Sequence, residues 1–158
     1  MTFRVFASFA GLCLLWFLAM AVYFAHLPNG GLDVQMTAGG VRDALAGWSD
    51  AEKSYHAWGT VYLDSAFPIF LTLFLVVGLR RYSDGLARVL MTVLAAAYLG
   101  ADGIENVTSL RLLADQLDGA ATNAWATCIK YICLTLPLVV VLFGIRREAV
   151  DLREARQS

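Results

Sequence analysis

Asp64, Asp102, Glu105 and Lys130 stand in otherwise apolar sequence, where an ionised side chain is costly unless it is paired or put to use. Asp102, Glu105 and Asn106 are spaced i, i+3 and i+4, which sets them on one face of a helix. Asn123, Thr127 and Lys130 make a second polar stripe, and His56, Thr60 and Asp64 a third. Carboxylates facing a lysine in a dry setting can exchange protons with a substrate, hold a polar headgroup, or lock helices in register. Asp64, Asp102 and Glu105 against Lys130 sum to −2 (−3 + 1). That excess calls for a protonated acid, or for Arg111, a metal ion or a cationic ligand nearby.

The elements that must position these residues are membrane helices. Of 158 residues, 59% are hydrophobic and 16% charged, against roughly 25% charged in ordinary soluble domains. Four apolar segments, at about 3–27, 57–79, 88–106 and 123–145, each approach the roughly 20 residues a span requires. The expected architecture is a single all-α domain, a four-helix transmembrane bundle. Its helices cover about 3–27, 49–79, 84–117 and 122–148, and an amphipathic segment at about 37–47 lies at the interface. That segment presents Val41, Leu45 and Trp48 on one side. The first apolar run is longer than the 7–15 residues of a signal-peptide core, so it reads as a retained helix. Ser49 and Glu52 form a capping box ahead of the second long helix. Pro68 and Pro137 each remove one backbone hydrogen bond, and the carbonyl freed by Pro68 is that of Asp64.

Depth ties the charged residues together. At 1.5 Å per residue, Asp64 lies about 24 Å from Arg80, Asp102 about 21 Å from Arg88, and Lys130 about 24 Å from Arg146. In a hydrocarbon core of roughly 30 Å these three fall in one layer, with Glu105 and Asn106 a turn beyond. Eight of the twelve basic residues are Arg4, Arg80, Arg81, Arg88, Arg146, Arg147, Arg153 and Arg156. Basic loops stay in the cytoplasm, so both termini are expected there and the acidic layer in the outer leaflet, in a bacterial inner membrane.

Other features read as structural. Cys13, Cys128 and Cys133 lie in apolar helices without a Cys-x-x-Cys, which suits packing. Trp48, Trp58 and Trp125 suit an aromatic belt and Trp16 mid-membrane packing. His26 and His56, at outer helix ends, read as headgroup-facing, and no His-x-x-x-His or Glu-x-x-His spacing argues for a metal. No cofactor motif appears. A net charge of −1 with no nucleic-acid motif gives no reason to expect a polyanion partner.

Tyr55 precedes Asp64 by nine residues, Phe67 and Pro68 complete an Asp-x-x-Phe-Pro, and "ADGIEN" supplies an Asp-x-x-Glu-Asn from Asp102 to Asn106. With Lys130 in the last helix, this order over about residues 38 to 140 resembles a group of bacterial four-helix membrane proteins with no assigned activity. A tyrosine that often follows Phe-Pro in that group is replaced here by "IFLTLF". The resemblance implies the same architecture and the same polar site, without naming a reaction.

The function expected is binding, and in its fuller form transformation, of a small amphipathic or lipid molecule in the charged pocket. Asp64, Asp102, Glu105, Asn106 and Lys130 are the primary candidates, with Tyr55, His56, Thr60, Thr127 and Arg111 around them. The rivals are a non-enzymatic subunit or assembly factor with a structural Asp/Glu–Lys network, partnered by another membrane protein or a second copy, and a proton-coupled transport component.

Overall fold

In a computed structural model, which describes residues 2–155, the chain is an all-α bundle with no strand among the described residues. The helices are α1 (Phe3–Phe24), α2 (Ala38–Ala46), α3 (Asp50–Gly59), α4 (Phe67–Tyr82), α5 (Gly85–Leu113) and α6 (Ala120–Glu154). A π-helical turn, Thr60–Asp64, joins α3 to α4, so that Asp50–Tyr82 is one 33-residue rod. Among the described residues four rods, Phe3–Phe24, Asp50–Tyr82, Gly85–Leu113 and Leu117–Glu154, are long and apolar enough to cross a membrane. Thirty-three residues span about 50 Å, more than the roughly 30 Å of hydrocarbon, so part of this rod stands clear of the lipid.

Local chemistry sets the helix ends. The Ser49 side chain accepts from the Glu52 amide while Glu52 Oε2 accepts from the Ser49 amide at 2.7 Å, so the capping box forms. Thr37 caps α2 by accepting from the Gly40 amide at 3.0 Å. Pro68 cannot donate to Asp64, and the chain accommodates this by widening one turn rather than by breaking. The Ser65 amide bonds back five residues to the Thr60 carbonyl at 3.0 Å, and the Ser65 hydroxyl donates to the same oxygen at 2.7 Å. Pro137 is carried inside an unbroken α6.

The helices differ from expectation in extent and in one role. α5 ends at Leu113 rather than near 117, and α6 runs on to Glu154 rather than 148. The amphipathic segment does form, and Val41, Leu45 and Trp48 are all buried. Yet its apolar face packs mainly on α6 instead of lying in the headgroups, with Trp48 Nε1 donating to the Pro28 carbonyl at 3.2 Å. Trp48 therefore belongs to the core, whereas Trp58 and Trp125 are exposed as a belt requires.

α5 and α6 form the most extensive helix pair, α4 packs against both, and α1 leans on α3 and α4. Phe6 stacks on Phe74 with ring centroids 5.1 Å apart, beside fully buried Leu75, Leu79 and Val141. Gly59 permits α1 to approach closely, since a Cβ there would stand 2.5 Å from the Tyr23 ring and 3.0 Å from that of Phe24. Leu14, Leu15, Phe17, Val93, Ile132 and Phe143 point outward, an exterior suited to hydrocarbon. At the arginine-rich end, Arg81 pairs with Glu148, which also accepts from the Tyr82 hydroxyl at 2.9 Å.

Candidate functional site

The polar stripes of α5 and α6 meet face to face. Glu105 is fully buried, and its carboxylate is held by Lys130 through Oε2 and by the Thr127 hydroxyl through Oε1. Lys130 also stands 3.5 Å from Asp102 Oδ1, while Asp102 Oδ2 accepts from Asn106 Nδ2 at 3.2 Å. One turn beyond, Asn123 Nδ2 reaches the Glu105 carbonyl at 3.1 Å, the Thr108 hydroxyl at 3.1 Å and the Ser109 hydroxyl at 2.8 Å. These bonds join α5 to α6 through side chains that all lie within the bundle. A lysine bridging two acids with its partners satisfied is a clamp as well as a charge pair.

Asp64 differs. It is 4% exposed, at the end of the π-helical turn, and its Oδ2 has no hydrogen-bond partner. The same face carries Thr60 and His56, both fully buried. His56 does not face headgroups: its Nε2 accepts from the Leu32 amide at 3.0 Å, and Nδ1 lies 3.0 Å from Thr60 Oγ1. Because Nε2 is occupied as an acceptor, the proton sits on Nδ1 and the imidazole is neutral in this arrangement.

The Leu32 contact fastens a segment that sequence reasoning missed. Gly30 and Gly31, with φ of 76° and 88°, turn residues 31–36 back across the end of the bundle as a strap. Asp33 rides on this strap. Its carbonyl accepts from the Tyr131 hydroxyl at 3.2 Å, and the Met36 carbonyl lies 3.7 Å from Cys128 Sγ. Lys130 with Glu105 and Asp102 sums to −1 (−2 + 1), and Asp64 brings the layer to −2 (−3 + 1) with every group ionised. Tyr98, one turn from Asp102 and 2% exposed, is a second omission.

Of the secondary candidates, Thr60 and Thr127 join the layer and Tyr55 and Arg111 do not. Tyr55 stacks on Tyr23 at 4.1 Å, each hydroxyl donating to the other residue's backbone carbonyl, and so fastens α1 to α3. Arg111 is exposed near the end of α5. Two shallow clefts lie nearby. One of about 220 Å³ runs between the strap and α6 past Met36, Ala124, Trp125 and Cys128, and the other, of about 270 Å³, lies beside the Lys53–Asp115 pair. Neither is lined by Asp64 or Glu105. Among the described residues, no three or more His, Cys, Asp or Glu side chains are arranged to hold a metal ion.

Comparison of the chain with protein-family models, with curated proteins and with solved structures finds no match.

Proposed function

We propose that this integral membrane protein binds a small amphipathic or lipid molecule at the Asp64 side of its polar layer. The observation that carries this reading is the spare carboxyl of Asp64, whose Oδ2 is buried without a hydrogen-bond partner beside a clamp in which Lys130 is already taken by Glu105 and Asp102. Leaving a polar group unsatisfied costs about 1–3 kcal/mol, more for a charged one, and such a cost is retained where it serves binding or chemistry. Asp64 also closes a π-helical turn, a feature frequent at functional sites. The cleft past Met36 and Trp125 offers an apolar chain a place beside the strap. The arginine distribution supports an inner membrane with the arginine-rich end in the cytoplasm and the polar layer in the outer leaflet.

A second reading, a subunit whose charges only fix helix register, is favoured by the direct Lys130–Glu105 contact. It accounts for Glu105, Thr127 and Lys130, but gives Asp64 no task. Delipidated protein and an extract of the source membrane's lipids separate the two. Under the binding reading the extract raises the unfolding temperature of the parent and not of Asp64→Asn. An equal response in both proteins contradicts it.

A further inference from the structure

We infer that the ligand of this site presents a protonated primary amine. The inference rests on the binding reading above and goes further, because the unmet hydrogen bonds have a common character. Among the described residues five buried side-chain oxygens lack partners: the Thr72 hydroxyl, farther along α4, and in this layer Asp33 Oδ1, Asp64 Oδ2, Asn106 Oδ1 and Asn123 Oδ1. The four of this layer are carboxylate or amide oxygens, which accept. The neighbouring amide and ammonium donors that the bundle supplies are turned elsewhere: the Lys130 ammonium to Glu105 and Asp102, Asn106 Nδ2 to Asp102, and Asn123 Nδ2 to three oxygens. Asn106 and Asn123, 6% and 0% exposed, point the same way as the acids without being charged.

A ligand that completes this layer brings donors, and positive charge on it offsets the excess of acids. A carboxylate or phosphate headgroup brings neither and adds to an excess of −2 (−3 + 1) among Asp64, Asp102, Glu105 and Lys130 when all are ionised. An alcohol supplies one donor and no charge. A trimethylammonium group supplies charge and no donor. A primary ammonium carries one charge and three N–H donors on a compact centre, which answers both deficits. Its charge-assisted bond to Asp64 belongs to the stronger class of hydrogen bond.

Four amphiphiles with the same twelve-carbon chain test this: the primary amine, the trimethylammonium, the alcohol and the carboxylate. Each is titrated by calorimetry into the full-length protein in nanodiscs, with empty nanodiscs subtracted for partition into lipid. The parent, Asp64→Asn, Asp33→Asn and the surface control Asp43→Asn are compared, and Asp33→Asn, on the strap outside the helices, serves if Asp64→Asn does not fold. The amine is expected to bind saturably and most tightly, with affinity lowered about 10- to 100-fold by Asp64→Asn and unchanged by Asp43→Asn. If another headgroup binds as tightly with the same dependence on Asp64 or Asp33, the amine assignment fails and the binding reading stands. If none of the four shows that dependence, both fall.

Discussion

Replacing Lys130 by methionine removes the ammonium that Glu105 and Asp102 share while keeping most of the side chain's length. Glu105 is fully buried, so after Lys130→Met its carboxylate retains the Thr127 hydroxyl and loses its charge partner. Breaking one side of a buried pair costs about 3–5 kcal/mol, because the remaining charge stays desolvated. Glu105→Gln is milder: Lys130 still has Asp102 at 3.5 Å, and the glutamine oxygen can accept from Thr127. The expected cost is about 1–3 kcal/mol. In the double variant no carboxylate remains at 105 to be stranded, so the two losses should fall short of their sum by about 1–3 kcal/mol. The assay is reversible unfolding in mixed micelles, followed by far-ultraviolet circular dichroism and by tryptophan fluorescence. A Lys130→Met protein within about 1 kcal/mol of the parent, or losses that add, would refute the clamp.

Other consequences are as direct. His56→Phe keeps ring packing against Phe24 and Trp48 but removes the acceptor for the Leu32 amide; hydrogen exchange at that amide should accelerate about 10- to 100-fold, and unchanged protection would detach the strap from His56. Gly59→Ala should cost about 1–3 kcal/mol in the same unfolding assay, because the added methyl meets the Tyr23 and Phe24 rings. Ser49→Ala opens the capping box and should cost about 0.5–2 kcal/mol. In a cysteine-free background, Asp84→Cys should react with a membrane-impermeant maleimide only in inverted vesicles and Asp118→Cys only in right-side-out ones, and the opposite pattern would reverse the orientation.

The bundle was legible because spans are written in long apolar runs, and the clamp because helical spacing and depth converge on Asp102, Glu105, Thr127 and Lys130. Geometry limited by a helix can be counted along a sequence. Asp33 escaped that count. It sits in a stretch with no periodicity, and an acid in an irregular loop reads as solvated until the "NGG" turn is seen to fold it inward. His56 was placed by its distance along the helix but not by its partner, which is a backbone amide 24 positions away. Pro68 announced a disturbed backbone at Asp64, though not that the disturbance takes the form of a wider turn. The motif that Tyr55 opens and the need for a cation to balance the acids pointed to Tyr55 and Arg111, and three-dimensional packing sends the first to α1 and the second to the exterior.

The central claim is that Asp64 holds a ligand while Glu105 and Lys130 hold the helices. Native mass spectrometry of the full chain, released by mild detergent from its source membrane, tests that division directly. The parent should carry a bound small molecule that Asp64→Asn loses while remaining folded. The same adduct on both proteins, or two bare proteins of equal stability, would contradict the account.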